Sequence, residues 1–192
     1  MDKIWNLIRN EYPHVKAVNV YKNSKQIGSY DKNQGKEVYP TGCIFKSFIS
    51  AAVGTAIKNG YIESVHQKIC EFFPYATVTD EGMKDITIKH ALTKTTGIAW
   101  PPPGMDLSID NMDDIFALEL KNKPGLTFEY KPDPQILVYL LAEASSMSFD
   151  DYINRFLFEP LDITDYEWDS SMDLIQNMSM AQSEIVKLGQ LY

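Results

Sequence analysis

Cys43 and Lys46, three residues apart in "TGCIFKS", have the side-chain types and spacing for nucleophilic chemistry. Phe45, Phe48, Ile49, Ala52, Val53, Ala56 and Ile57 come next at helical spacing, so the thiol stands at the N-terminus of a strongly patterned helix. Unpaired backbone N–H groups and the positive end of the helix dipole favour thiolate there. Lys46, one turn on, shares its face and lowers the thiol pKa further. The same N–H groups can donate to the oxyanion that forms when sulfur attacks a carbonyl. Cysteine is also among the residue types most often buried. By itself, then, C-x-x-K leaves two readings open: a nucleophile with its basic partner, or a buried thiol beside a surface lysine.

The elements that must hold these residues can be read around them. The other face of the helix carries Ser47, Ser50, Ala51, Gly54 and Thr55, small enough for close backbone approach, which predicts a central helix packed on both sides; Asn59-Gly60 closes it with a left-handed cap. Upstream, "MDKIWNLIRNEY" reads as an amphipathic packing helix, and "AVNVYKNSKQIGSY" as a two-stranded hairpin turning at Asn23 and Ser24. No later segment has the alternation of a third strand. Thr87 caps a short helix through "IKHALTKT" that ends near Gly97, and "WPPPGMD", Trp100 to Asp106, is a rigid loop. Asp133 reads as an N-cap with Pro134 at the first helical position, and Ser148 with Asp151 as a capping box. The final "MAQSEIVKLGQLY" places Ile185, Leu188 and Leu191 in phase and then stops mid-pattern, so the sequence reads as cut.

Composition narrows the function classes. The 192 residues suit one domain, or one domain with part of another, and carry 26 acidic against 18 basic side chains for a net charge of −8. No Lys/Arg-dense stripe exists to neutralise phosphates, so nucleic acid is not the expected partner. No apolar run has the length of a signal or membrane segment, and a cytoplasmic location is expected. Of the two cysteines, Cys70 sits among Val65, Ile69, Phe72 and Phe73 and reads as a buried inert thiol. Without a CxxC pair or clustered histidines, neither a metal nor a cofactor is expected. His14 reads as exposed and His66 as lying in a polar stretch; Asp110, Asp113 and Asp114 read as a solvated helix start rather than a metal site. Trp5, Trp100 and Trp168 read as packing residues, with Trp100 placed to line a cleft mouth.

Three collinear stretches, spanning roughly residues 15 to 192, resemble the β-lactamase-related serine hydrolases, a superfamily of class C β-lactamases, DD-peptidases, esterases and amide hydrolases. "FKSFISAAVGTAIKNGYI" is similar to the helix that carries the family's Ser-x-x-Lys, with Cys43 in the serine place and Lys46 in the lysine place. "ITIKHALTKTTGI" resembles a helix-and-turn segment whose histidine, here His90, is structural. "FEYKPDPQILVYLLAEASSMSFDDYINRFLFEPLDITDYEW" resembles the region that opens with the catalytic tyrosine, here Tyr130.

The resemblance implies an α+β, truncated β-lactamase/transpeptidase-like fold: one incomplete domain over residues 1–192, with an N-terminal helix and hairpin in 1–40 and a helical region in 41–192. It implies acyl transfer from an ester, amide or lactam, with Cys43 as nucleophile, Lys46 and Tyr130 handling protons, and the Cys43 N–H as half of an oxyanion hole. The chain departs from the family pattern in its cysteine, in Pro132 two residues after the tyrosine, and in lacking the later Lys/His-Thr/Ser-Gly triplet. The resemblance implies that the sheet strand bearing this triplet supplies the second oxyanion donor, whose loss costs ~10²–10³ in rate, so activity is expected to be weak. Its absence also implies an open sheet edge and self-association through it. Two other readings stay open: a non-catalytic relative that binds or self-associates, and a piece or engineered form of a longer hydrolase.

Overall fold

A computed structural model describes residues 2–33, 37–101, 111–168 and 178–191. Helix α1 (Asp2–Glu11) precedes strands β1 (Ala17–Lys22) and β2 (Lys25–Asp31), which form an antiparallel hairpin running from Ala17 against Asp31 to Lys22 against Lys25. Asn23 and Ser24, at φ of 52° and 59°, supply the left-handed turn whose twist matches that of the strands. Strand β3 (Val38–Pro40) and a 3-10 turn (Gly42–Ile44) lead into α2 (Phe45–Lys58). Next along the chain are α3 (Ile88–Leu92), α4 (Met112–Phe116), α5 (Pro134–Ser145) and α6 (Phe149–Ile153), the last continued by a π turn over Asn154–Phe158. Strands β4 (Tyr166–Trp168) and β5 (Met178–Ala181) and helix α7 (Gln182–Gly189) complete the order. The α+β class, with its N-terminal helix and hairpin, is as the sequence implies.

Residues Cys43–Pro160 form one compact unit. Its core is the apolar face of α2, with Phe45, Phe48, Ile49, Ala52, Val53 and Ala56 all buried, against the buried Ile136, Leu137, Leu140 and Leu141 of α5. Edge-to-face rings lock the contact with the turns after α5: Phe48 lies 5.6 Å from Phe158 and Phe45 lies 6.1 Å from Phe149. The Tyr152 hydroxyl, wholly buried, donates to the Ala52 carbonyl at 3.3 Å and lies 3.0 Å from Thr55 Oγ1. The opposite face of α2 is packed only in part: Gly54 is exposed, and Ser47, Ser50, Ala51 and Thr55 are half-buried. Small residues permit close approach but supply little apolar area to drive it.

The caps agree with the sequence except at Asp133 and at Ser148, where the N-cap forms without the full capping box. Gly60 at φ +78° ends α2, with Tyr61 N–H bonded to Ala56 O and Gly60 N–H to Ile57 O. At α6 the Ser148 hydroxyl accepts from Asp151 N–H at 3.1 Å and donates to the Asp151 carboxylate at 2.7 Å, so Asp151 takes the hydroxyl proton that a full capping box leaves free.

Residues Met1–Gly42 with Leu161–Tyr192 form the second unit. Here the structure corrects the expectation of a single strand pair, because β3, β5 and β4 make a three-stranded antiparallel sheet with β5 in the centre. These strands are three or four residues long, too short to display alternation, and Pro40 and the methionines of "MSMA" carry no strand preference. Met178, Met180 and Ala181 of β5 are buried, and both Thr41 N–H and its hydroxyl donate to Met178 O at 2.8 Å. Among the described residues the hairpin has no third strand. Helix α1 buries no residue; Trp5 stacks on Tyr30 at 6.3 Å while Ile4 and Leu7 face outward. In α7, Leu188 is buried and Leu191, just past its end, is exposed; the buried Glu184 carboxylate accepts from Thr164 N–H at 2.9 Å.

Candidate active site

Gly42, at φ +49°, takes a conformation that a side chain resists. It turns the chain into the 3-10 turn that carries Cys43 and runs directly into α2. The thiol is thereby left exposed ahead of the helix, with Lys46, half-buried, in the first turn of α2.

Tyr130 is positioned by the segment after α3. Thr87 caps that helix: its hydroxyl accepts from His90 N–H at 3.3 Å, and the His90 ring Nδ1 accepts from Thr87 N–H at 3.2 Å. His90 is thus spent on the cap, in keeping with a structural role. The chain then reverses through Lys94, at φ 56°, a left-handed residue costing about 1–3 kcal/mol. From Lys94 to Gly97 the backbone is bonded to the residues before Tyr130: Gly125 N–H donates to Thr95 O at 2.8 Å, Lys121 N–H to Gly97 O at 2.8 Å, and Glu129 N–H to Lys94 O at 3.0 Å. Gly97 is obligatory here, since a Cβ would lie 2.0 Å from the Asn122 carbonyl oxygen.

Cys43 Sγ and Tyr130 Oη lie 2.8 Å apart. Lys46 Nζ is 5.7 Å from the centre of the Tyr130 ring and Lys94 Nζ is 4.1 Å from it. The three residues expected from the sequence therefore converge, and Lys94 joins them. The Tyr130 hydrogen bond, then the Lys46 charge, hold the Cys43 thiol below its ordinary pKa, with a smaller push from Lys94. The same hydrogen bond, followed by partial burial, holds the tyrosine above its own. Both directions favour the arrangement in which the tyrosine O–H donates to the sulfur. Cys70 contrasts with it. It is half-buried rather than buried, 3.6 Å from Lys84 O, and burial raises its pKa.

Asp133 departs from the N-cap expectation. Its backbone is already helical and its side chain caps nothing; instead the carboxylate is buried, accepting from Trp100 Nε1–H at 2.5 Å and from Thr96 N–H at 3.4 Å. Pro134 does occupy the first helical position, so the helix starts without needing the cap. Trp100 is accordingly buried, not at a cleft mouth. Burial raises the Asp133 carboxyl pKa against the opposing pull of its hydrogen bonds. Sequence reasoning singles out neither Lys94 nor the Trp100–Asp133 pair; the available signal is a lysine in "TKTTG", just after a helix end and before an obligatory glycine.

Other candidates fall away from the site. His14 and His66 are exposed. Asn111 caps α4 by accepting from Asp114 N–H, and the Asp114 carboxylate accepts from Asn111 N–H, which makes Asp113 and Asp114 part of a helix start. Asp110 and most of the "WPPPGMD" loop lie outside the described residues. Among the described residues, no group of three or more His, Cys, Asp and Glu could hold a metal ion, and no helix is long and apolar enough to cross a membrane. Pro132 is exposed and offers only its carbonyl, which accepts from Gln135 N–H at 2.8 Å.

The profile of the family described as Beta-lactamase matches residues 10–174. No curated protein matches the chain. Solved structures do, at low identity. A β-lactamase/D-alanine carboxypeptidase from Pseudomonas syringae aligns at a TM-score of 0.79 and 16% identity, over 98% of this chain and 64% of that one. A D-alanine carboxypeptidase from Burkholderia cenocepacia aligns at 0.75 and 13%, over 99% and 64%. The octameric penicillin-binding protein homologue from Pyrococcus abyssi aligns at 0.74 and 16%, over 100% and 55%. The chain spans less than two thirds of each of these structures.

Proposed function

The chain belongs to the β-lactamase family, and on that premise we propose that it is an acyl-transfer hydrolase whose nucleophile is Cys43. The observation that carries the reading is the thiol 2.8 Å from the Tyr130 hydroxyl with two lysine ammoniums around the ring. The thiolate attacks the carbonyl carbon of an ester, amide or lactam, and the Cys43 backbone N–H supports the oxyanion. The C–O or C–N bond breaks as the leaving group takes the proton of Tyr130, leaving a thioester on Cys43. Water then attacks the thioester carbonyl, Tyr130 recovers its proton with Lys46 alongside, and the acid departs as the thiolate re-forms. Tyr130, whose pKa is raised, keeps its proton until the leaving group takes it, and the lowered thiol pKa lessens the need for a base at sulfur.

The hairpin favours a second property, self-association. With only two strands among the described residues, it presents ladder edges, and Ile27 lies exposed on β2. The structurally similar Pyrococcus abyssi protein is octameric. A chain that associates but does not acylate would be a binding relative of the hydrolases.

Intact-protein mass spectrometry after exposure to activated esters and a β-lactam separates these outcomes, with Cys43→Ala and Cys70→Ala run beside the parent. The expected result is one acyl adduct that decays with time, persists in Cys70→Ala and vanishes in Cys43→Ala. Equal labelling of parent and Cys43→Ala, or no adduct, overturns the assignment of Cys43.

A further inference from the structure

Lys94 has three attachments, and they bracket one residue. Its backbone carbonyl accepts from Glu129 N–H at 3.0 Å, its ammonium donates to Lys131 O at 2.5 Å, and that ammonium sits over the Tyr130 ring at 4.1 Å. The residue before the tyrosine, its ring and the residue after it are all fixed by a single side chain and its own backbone. Lys94 is buried, and it holds the left-handed φ of 56° that brings its carbonyl and its ammonium to the same short segment. A lysine seldom gives up solvent and an unstrained backbone together unless the geometry it secures is needed. A positive charge against the face of a phenol also stabilises the ring and polarises its O–H toward an anionic acceptor.

We propose that Lys94 is the positioning residue of this site: it sets the Tyr130 hydroxyl against Cys43 Sγ and electrostatically tunes that hydrogen bond, acting on the thiol through the tyrosine. The catalytic consequence rests on the reading of Cys43 as nucleophile; the effect on thiol reactivity does not. The charged and titratable groups around the pair are Lys46 from α2, Lys94, and Asp133, which lies behind Lys94 and partly offsets its burial. Asp133 also binds Thr96 N–H, so the two segments that Lys94 joins are tied a second time, and loss of the Lys94 side chain leaves the loop attached. The change expected is in the aim and acidity of Tyr130.

The test is alkylation of Cys43 by iodoacetamide across pH 6 to 10, with peptide mass as the readout, in the parent, Lys94→Met, Lys94→Arg, Tyr130→Phe and Tyr130→Phe/Lys94→Met. Lys94→Met is expected to move the thiol midpoint upward and to slow Cys43 alkylation at neutral pH by roughly threefold to tenfold, with Cys70 unchanged. Lys94→Arg, which keeps the cation, is expected to retain most of the parent profile. In the Tyr130→Phe background the Lys94→Met effect is expected to shrink by more than half, since the route through the hydroxyl is gone. A Lys94→Met profile that superimposes on the parent, or an effect undiminished in the Tyr130→Phe background, overturns the proposal. If Lys94→Met does not fold, Lys94→Arg decides: a profile displaced as far as that of Tyr130→Phe overturns it, and a preserved one supports it. Failure of the hydrolase reading looks different, because then no ester labels the parent while the alkylation profile still depends on Lys94.

Discussion

Replacing Asp133 by alanine strips the acceptor from two buried donors, Trp100 Nε1–H at 2.5 Å and Thr96 N–H at 3.4 Å. A buried donor left unpaired costs about 1–3 kcal/mol. The long Thr96 bond belongs at the low end of that range and the short, charge-assisted Trp100 bond at the high end. Against this, the variant no longer buries a carboxyl, which returns part of the desolvation cost. A net loss of about 2–4 kcal/mol is expected, which for a chain of this size lowers the melting temperature by roughly 5–15 °C. Asp133→Asn keeps an acceptor for Trp100 and should lose less than half as much. The two variants also separate by pH. Burial raises the folded Asp133 pKa above the unfolded one, so the folded state holds a proton that the unfolded state has released. Its contribution is therefore fully present below the unfolded carboxyl value of about 3.9, is lost as pH rises to the raised folded value, and is constant beyond it. The parent should show that decline in urea unfolding monitored by circular dichroism, and Asp133→Asn should not. An Asp133→Ala protein that melts within about one degree of the parent at pH 7, where a shift several times larger is expected, would refute the assignment of Asp133 as the buried acceptor.

Further predictions concern the site, the loop beneath it and the hairpin. Tyr130→Phe removes the donor to Cys43, so the pH midpoint of Cys43 alkylation should rise and its rate at neutral pH fall by roughly threefold or more; an unchanged profile would mean that the 2.8 Å contact does not operate in solution. Gly97→Ala forces a Cβ to within 2.0 Å of the Asn122 carbonyl at a left-handed φ of 78°, and should destabilise by at least about 2 kcal/mol in urea titration, with Tyr130 displaced. Ile27→Lys puts a charge on the exposed surface of β2, and light scattering at micromolar concentration should show a smaller particle than the parent; equal particle sizes would point association elsewhere, and a monomeric parent would remove it altogether.

What can be read from sequence divides by physical cause. The α2 face, the hairpin and the caps at Thr87, Ser148 and Gly60 are legible because each is written in neighbouring residues, through period, turn chemistry or a hydroxyl three residues from its partner. Cys43, Lys46 and Tyr130 are legible only because a family pattern links positions 43 and 130, which no local rule connects. The short strands escape because three residues carry no period, and their pairing, Val38 with Ala181, is remote. Asp133 misleads for a related reason: Asp-Pro before an apolar run is a sound capping signal, and only the distant Trp100 shows where the carboxylate goes. Lys94 leaves only the faint trace of a lysine between a helix end and a glycine, because its placement depends on a left-handed backbone and on Lys131, 37 residues on.

The central place of β5 in its sheet bears on the order in which the molecule assembles. Neither β3 nor β4 touches the other; both wait for residues 178–181. On a ribosome that sheet cannot begin until residues 178–181 have emerged, whereas the unit Cys43–Pro160, closed by contacts among its own helices, can condense earlier. Early condensation also helps the late step. An unstructured loop tenfold longer than a hairpin's costs about 2 kcal/mol more to close, and a folded insert brings the ends of that loop together in advance. The thiol and its tyrosine both lie within the part that condenses first, so a nascent chain can bring Cys43 and Tyr130 together before β5 is in place.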